Sequence, residues 1–300
     1  MKWPEINFEE SETTFQLLHQ WTQMVGKVRL KLSPKKNHSW HVTLYPNSEG
    51  LTTGPIPYGP GLFEIKFDFN RHELKIKTSS GRQDKFALGG QTVASFYDQL
   101  MEKLDYLGIE VKIHNSPNEI PNAIPFPENT EKLPYHPAAA KNFWKALICM
   151  KRTFLEFGES FAGKCSPIHF FWGSFDLAYT RFSGRLAPKF EGELPNMPQD
   201  VMAEAYSHEL FSVGFWPGNK EFPEPSFYAY IYPNLEDFKK QKVEPKEAYW
   251  NDTLGEFMLS YDEVQKSTNG NKTLLEFLNS SYDAGAKVAG WDMEALEAKF

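Results

Sequence analysis

The stretch that decides the fold is residues 164–185, KCSPIHFFWGSFDLAYTRFSGR. Aromatic and aliphatic residues alternate with polar ones more densely here than elsewhere, and this pattern predicts two short strands. The strands would place four polar side chains among buried rings: His169, Asp176, Thr180 and Arg181. A buried polar group without a partner costs about 1–3 kcal/mol, so these groups need hydrogen-bond partners or hold a ligand. The stretch is therefore the best candidate for a functional site.

Regular elements are predicted on both sides of this stretch. After it, we expect a proline-rich loop over 187–198, strands over 208–215, 227–232 and 256–259, and a helix over 274–288; before it, a helix over 143–161. Earlier in the chain, we expect helices over 10–32 and 92–107 and strands over 40–45, 51–56, 63–69, 74–76 and 109–113. Gly54 and Pro55 interrupt the second of these strands, which predicts an edge position for it.

The two parts of the chain show the same order of elements. Each begins with a long helix, continues with a strand that has a histidine at its start, a strand with Thr and Gly and two further strands, and ends with a helix. This order predicts an α+β fold of two similar halves, each a mainly antiparallel sheet flanked by long helices. We place the first half at 1–113, a proline-rich linker at 114–136, and the second half, packed tightly on the first, at 137–300.

Composition and motifs argue against several classes of protein. The 300 residues can bury a core without disulfides, and Cys149 and Cys165, which lack metal-ligand spacing, are interpreted as buried thiols in a reducing compartment. No apolar run approaches the roughly 18 residues of a membrane span, and neither half has a basic excess, with a net charge of −7 overall. We therefore expect a cytoplasmic protein without nucleic-acid or membrane partners. No GxSxG elbow, P-loop or GxGxxG follows a strand, which argues against hydrolase, NTPase and dinucleotide-binding folds.

One segment is locally basic. No acidic residue occurs between Glu12 and Glu49, whereas five cations fall close together: Lys27, Arg29, Lys31, Lys35 and Lys36. These residues could form a solvated helix end, where cations interact favourably with the helix dipole, or an anion-binding patch. Both interpretations stay open.

Three histidines lie on predicted strands: His41, His169 and His208. If the halves pack face to face, the histidines could converge with Asp176 or Glu209, a set that suits zinc or non-haem iron. The alternative is structural histidines bonded to the backbone, and no HxH, HExxH or HxxxH spacing is present. His169, His208 and Asp176 are the candidate catalytic residues, and a metal or other cofactor is not specified by the sequence.

Arginines and aromatic residues supply the candidate binding groups. The segment 180–185, TRFSGR, combines Arg181 and Arg185 with hydroxyls and a glycine, a set suited to carboxylate or phosphate, unless the arginines pair with Asp176 or Glu209. Alternation places Arg181 on the strand face opposite Thr180. The tyrosine row Tyr228, Tyr230 and Tyr232 with Trp216 could stack on a flat ligand or form a packing surface. The candidate ligand-binding residues are Arg181, Arg185, His41, Thr52 and Trp216.

Five blocks of sequence carry a resemblance to a known family. They are NHSWHVTLYPNSEGLTTGPIPYG, FEIKFDFNRHELKIKTSSG, SPIHFFWGSFDLAYTRFSGRLAP, AYSHELFSVGFWPG and SFYAYIYP. The chain resembles, over nearly its whole length, the mainly bacterial family called domain of unknown function 5996. The resemblance implies a protein of a single family and brings no reaction, cofactor or catalytic residue with it.

Two functions are compatible with these observations. In the first, the protein is an enzyme or sensor that binds a small anionic or aromatic ligand in a cleft between the halves. In the second, it is a non-catalytic interaction or oligomeric structural protein that uses its aromatic sheet faces. A pocket that holds the histidines and an arginine would favour the first, and a flat apolar patch around the tyrosine row would favour the second.

Overall fold

Two six-stranded antiparallel sheets are present within residues 2–192 and 197–299, the part of the chain that the computed structural model describes. In chain order, the first half contains α1 (Phe8–Leu32), β1 (Tyr45–Pro46), β2 (Gly50–Thr52), β3 (Ile56–Tyr58), β4 (Gly61–Asp68), β5 (Glu73–Thr78), β6 (Gln83–Ala87) and α2 (Val93–Tyr106). The strands follow the order β1-β2-β4-β5-β6, and β3 also pairs with β4. The first sheet is therefore a meander with one extra short strand.

The second half also contains a six-stranded sheet. Its elements are α3 (Pro137–Glu159), β7 (His169–Phe171), β8 (Asp176–Leu186), α4 (Gln199–Ala205), β9 (His208–Trp216), β10 (Ser226–Tyr232), β11 (Tyr249–Asn251), β12 (Glu256–Ser260), α5 (Tyr261–Lys266), α6 (Gly270–Val288) and α7 (Met293–Leu296). The strand order is β11-β12-β10-β9-β8-β7, and every pair is antiparallel. The α+β prediction is confirmed, and the arrangement of two sheets is compatible with two similar halves.

Helix α1 begins and ends where its sequence indicates. The Asn7 side chain accepts a hydrogen bond from the Glu10 N–H at the start, and Arg29 and Lys31 lie in the last turn. The helix buries residues on most of its circumference, so it lies inside the molecule and is not a surface helix. Its Phe15 ring packs on Phe143 of α3, with ring centroids 5.2 Å apart. Buried residues of both halves belong to one hydrophobic core.

A single backbone bridge joins the two sheets at their edges. The Leu44 N–H donates to the Phe170 carbonyl at 2.9 Å, and the Phe170 N–H donates to the Leu44 carbonyl at 2.7 Å. Leu44 directly precedes β1, and Phe170 is the middle residue of β7. The bridge therefore aligns β1 with β7 and makes the two sheets neighbours along one line.

Several sequence predictions are wrong in detail. Residues 40–42 form a turn and not a strand, because His38 and Ser39 have positive φ angles of 53° and 55° that redirect the backbone. Residues 109–113 have no ladder partner among the described strands and are extended chain. The predicted edge strand 51–56 is divided into two strands: β2 lies between β1 and β4 and is not an edge strand, whereas β3 pairs with β4 alone among the described strands. Residues 193–196 of the predicted 187–198 loop lie outside the described residues, and the boundaries at 113 and 136 stay a prediction.

Candidate ligand site on the shared sheet face

One side chain row crosses both sheets on the same face. Extending the antiparallel bridge by one residue places Tyr45 opposite His169, and the strand registers continue the row on both sides. In order, the row consists of Thr52, Tyr45, His169, Ala178, Gly214 and Tyr228. We call the sheet surface that carries this row the shared face. The opposite face of the second sheet packs on helices α3 and α6 through side chains such as Arg181.

Arg29 and His169 meet where the two sheets join. The Arg29 guanidinium carbon lies 5.1 Å from the centroid of the Tyr45 ring, and the row places His169 beside that tyrosine. Arg29 Nε and Nη1 are buried and have no hydrogen-bond partner among the described residues, and the same holds for His169 Nδ1. Burial, together with the Arg29 charge, lowers the pKa of His169 to about 3. At neutral pH His169 is therefore an uncharged imidazole.

His41 lies on the turn that follows α1, close to the same arginine. Its Nδ1 accepts a hydrogen bond from the Lys36 backbone N–H at 3.2 Å. Burial and the Arg29 charge lower the pKa of His41, whereas Glu204 acts in the opposite direction. Glu204 pairs with Lys35 at 3.6 Å. We call Arg29, His41 and His169 the seam cluster, and its electrostatic character is that of a cation beside two neutral imidazoles.

Asp176 lies on the shared face, two residues from the partner of His169. Only 8% of Asp176 is exposed; its Oδ2 accepts a hydrogen bond from the Tyr228 hydroxyl, and its Oδ1 has no partner within the described part of the chain. Burial raises the pKa of Asp176 to about 6, although hydrogen bonding to Tyr228, to its own backbone N–H and to Ser174 opposes this shift. The carboxyl group thus changes charge near neutral pH.

Two further carboxyl groups surround Asp176. Burial and the Asp176 charge raise the pKa of Glu119 to about 7 and that of Glu256 to about 8. Glu119 lies on the segment that follows α2 and approaches Gly173, where an added Cβ would collide with its carboxylate. We call Glu119, Asp176 and Glu256 the carboxyl cluster. None of the three belongs to an ion pair of residues 2–192 and 197–299.

Tyrosines form the wall of the carboxyl cluster. The rings of Tyr228 and Tyr230 stack with centroids 6.1 Å apart, and the Tyr230 hydroxyl lies 3.3 Å from that of Tyr206. The Tyr228 ring lies across Gly214. Any side chain at position 214 would therefore overlap this ring and the Leu177 carbonyl oxygen. The glycine therefore allows the Tyr228 hydroxyl to reach Asp176.

The comparison with known protein families gives a match. The model of the family of unknown function DUF5996 matches residues 3–298. The chain belongs to this family. No curated protein and no solved structure matches the chain. DUF5996 membership confirms the predicted resemblance and assigns no activity, so the function is argued from the site alone.

Arg181 and Arg185, two predicted ligand residues, make contacts that stabilise this DUF5996 fold. Arg181 is on the face opposite Thr180, as alternation predicts, with its guanidinium carbon 3.5 Å from the Phe157 ring centroid. Arg185 donates to Glu209 and to the carbonyl oxygens of Ala289 and Gly290 at the end of α6. Neither lies with the seam cluster, and their roles in ligand binding stay predictions.

The other predicted residues divide between the two ends of the shared face. Thr52 is in the row beside Tyr45 and donates to Glu64. His208 packs against His38, with ring centroids 6.1 Å apart, and accepts or donates a hydrogen bond with Ser207 at 3.0 Å. Trp216 stacks on Phe222 at 5.9 Å. The structure therefore brings His41, His169, Thr52 and Asp176 into one region, and the β8–β9 register, extended by one residue, places Trp216 opposite Asp176 on the same face. His208 lies outside this region.

Sequence reasoning missed three residues of this region. Arg29 was visible as part of the acid-free basic segment, but nothing in the pattern paired it with His169. Glu256 is the first residue of the predicted strand 256–259, and Glu119 lies in the proline-rich segment, which has little periodicity.

Two concave surfaces are lined by residues outside the seam cluster and the carboxyl cluster. A concavity of about 490 Å³ is lined by first-sheet residues that include Arg71 and Lys85, and one of about 680 Å³ lies between Trp3 and the start of α6. In residues 2–192 and 197–299, no group of three or more His, Cys, Asp or Glu side chains could hold a metal ion. The alternative of a histidine-ligated metal is therefore unsupported by the described geometry. In the same part of the chain, no helix is long and apolar enough to cross a membrane.

Proposed function

We propose that this chain binds a small anion, a carboxylate or a phosphate, at the seam cluster between its two halves. The observation that supports the proposal is the pair of Arg29 nitrogens Nε and Nη1, which are buried and lack hydrogen-bond partners among the described residues. An unpaired buried charge is costly to stability, and a ligand that accepts both N–H groups would remove that cost. Hydrogen bonds from a guanidinium N–H to a carboxylate or phosphate oxygen are charge-assisted and about twice as strong as those between neutral groups.

Neighbouring cations of the basic segment have other partners, which distinguishes Arg29 from them. Lys27 donates to Asn118, and Lys35 pairs with Glu204. Lys31 is exposed on the same turn of α1. Of the two interpretations of this segment, the paired and exposed lysines fit a solvated helix end, whereas Arg29 fits an anion site.

His169 would contribute a neutral hydrogen-bond donor to this site. Its ring is 1% exposed, and its pKa of about 3 keeps it uncharged at neutral pH. An anion bound beside Arg29 would offset part of the Arg29 charge and would therefore raise the pKa of His169. If the bound ligand reacts, His169 and Asp176 are the groups that would exchange protons, since the pKa of each is shifted from its usual value.

The second function, an interface built on the tyrosine row, has weaker support. A protein interface centred on this row would need a broad apolar patch. Instead, the hydroxyls of the row bond to polar groups: Tyr228 to Asp176, Tyr230 to Tyr206, and Tyr232 to the Pro188 carbonyl. The row is therefore a polar surface, which favours ligand binding.

Calorimetric titration of the full chain with inorganic phosphate and with acetate tests the proposal. Arg29→Gln should weaken the binding of the tighter anion by about tenfold or more, because charge-assisted hydrogen bonds contribute about 1.5–3 kcal/mol. Lys31→Gln removes one positive charge from the same helix turn and is the matched control, with an affinity expected to be unchanged. A wild-type chain that binds neither anion, or an Arg29→Gln variant that binds as tightly as wild type, would refute the proposal.

We also infer that the protein acts in the cytoplasm. The support is the state of its two cysteines, Cys149 and Cys165, which are both free thiols. Cell fractionation should recover the protein with cytoplasmic markers, and recovery from an oxidising compartment would contradict the inference.

A further inference from the structure

A buried carboxylate oxygen faces the same region as the seam cluster. His169 pairs with Ala178, and Asp176 lies two residues along the same strand on the same face. Diagonal neighbours of this kind have Cα atoms about 7–8 Å apart. Asp176 Oδ1, which is unpartnered among the residues that the structure describes, is therefore within the length of a small molecule from His169.

The two ends of this region have opposite electrostatic character. The seam cluster offers N–H donors and one guanidinium charge, whereas the carboxyl cluster offers acceptors and up to three negative charges. Ala178 and Gly214 occupy the row between His169 and Tyr228, and the Tyr228 ring lies across Gly214, so the Ala178 methyl group alone separates His169 from that ring along the row. A small ligand that reaches both clusters would therefore lie over Ala178, beside the Tyr228 ring.

We propose that the ligand is a small zwitterion, with its carboxylate or phosphate at the seam cluster and its ammonium group at the carboxyl cluster. This inference rests on the proposed anion binding and adds the second recognition element. Asp176 Oδ1 would accept a hydrogen bond from the ammonium group, with Glu119 and Glu256 adding attraction at longer range. The Tyr228 and Tyr230 rings beside the carboxyl cluster suit an organic ammonium ion, which interacts favourably with an aromatic face.

Matched pairs of probes separate the two recognition elements. Phosphoethanolamine and ethyl phosphate differ by the ammonium group, and so do β-alanine and propionate. At about pH 8, calorimetric titration of the wild-type chain should give an affinity about tenfold higher for the ammonium-bearing member of at least one pair, as expected for one charge-assisted hydrogen bond.

Asp176→Asn is the diagnostic variant, and its expected effect is on the ratio of affinities within a pair. The ratio should fall from about tenfold to near one, because the neutral amide cannot neutralise an ammonium group. Glu110→Gln removes an exposed carboxyl group that does not belong to the carboxyl cluster and is the control, with a ratio equal to that of wild type. If Asp176→Asn does not fold, Glu119→Gln takes its place, since Glu119 lies outside the sheets and should lower the same ratio.

Each outcome decides between the proposals. Equal binding of both members of each pair by wild type overturns the zwitterion inference and leaves anion binding intact. Loss of affinity for both members by the same factor in Asp176→Asn also overturns it, because Asp176 would then act on the site as a whole. If neither member of either pair binds, the proposed function fails, and the inference fails with it.

Discussion

The charged side chains on the shared face are paired in the first sheet and, within residues 2–192 and 197–299, lack ion pairs in the region around Asp176. In the first sheet, each lysine in the row beyond Thr52 pairs with a carboxylate: Lys66 with Glu49, Lys75 with Asp68 and Lys85 with Glu73. At the second sheet, Glu119 from the segment after α2 and Glu256 both approach Asp176, and the described residues place no cation in an ion pair with any of the three.

The pKa values show what this difference means for stability. For Asp68, burial alone would raise the pKa, but the hydrogen bonds from Lys75 and from two backbone N–H groups lower it overall. For Asp176, burial is the larger effect, and the pKa rises to about 6. The first sheet thus uses buried charge to stabilise its fold, whereas the second keeps a carboxyl group that destabilises the fold once it ionises. Groups retained at such a cost are candidates for function.

The largest expected effect comes from breaking the pair between Lys75 and Asp68. In Lys75→Met, the Asp68 carboxylate stays buried without its cation, and we expect a loss of about 3 kcal/mol in the free energy of unfolding. Lys85→Met is the matched control on the neighbouring strand; its lysine is mostly exposed, so the loss should be below about 1 kcal/mol. Urea denaturation at pH 7 measures both values. Equal losses would show that the first sheet does not depend on its buried pair.

The Asp176→Asn substitution should raise the free energy of unfolding, by an amount that depends on pH. The pKa of Asp176 is about 6 in the folded chain and 3.8 as a reference, so between these values the folded chain keeps a proton that the unfolded chain has lost. Wild-type stability therefore falls as pH rises through this window, whereas asparagine has no proton to lose. The variant should match wild type near pH 4 and exceed it by up to about 3 kcal/mol at pH 8.

Urea denaturation across this pH range measures the difference between Asp176→Asn and wild type. Asp68→Asn provides the comparison, because the pKa of Asp68 is lowered in the folded state and its removal should destabilise the chain above about pH 4. A stability difference for Asp176→Asn that does not change with pH would contradict the assignment of Asp176 as a buried carboxyl group with a raised pKa.

The sequence predicted the elements whose pattern is local. Helix α1 and helix α3 follow from apolar spacings of three and four, and β9 and β10 follow from strict alternation. The error at residues 40–42 arose because Val42 is buried at the junction of the halves, where its carbonyl accepts a hydrogen bond from Trp172 Nε1 at 2.8 Å. A turn that is buried by another part of the chain can show the same alternation as a strand.

The site was predictable only where strand alternation determines it. Alternation predicted two strands that carry His169 and Asp176, which are β7 and β8, and it placed Arg181 opposite Thr180, as the structure confirms. The proximity of Arg29 to His169 depends on the bridge between Leu44 and Phe170, which joins residues more than a hundred positions apart. Glu119 reaches Asp176 from a segment without periodicity. Contacts of these two kinds leave no signal in one sequence.

The smallest expected effect concerns Arg185, which the sequence favoured as an anion ligand and which the structure places at the end of α6. Its guanidinium pairs with Glu209 at 2.7 Å and donates to the Ala289 carbonyl at 2.6 Å, but its side chain is 49% exposed, so Arg185→Gln should cost less than about 1 kcal/mol. Phosphate affinity should not change, because these contacts lie on the helix-covered side of the second sheet, away from the seam cluster. Arg29→Gln should show the reverse: no loss of stability, since Nε and Nη1 have no hydrogen bond to lose within the described residues, and a large loss of phosphate affinity. Thermal denaturation and phosphate titration of the two variants side by side measure both quantities. A loss of phosphate affinity in Arg185→Gln with no loss in Arg29→Gln would move the anion site from the seam to the end of α6, and would return Arg185 to the role that its sequence context predicts.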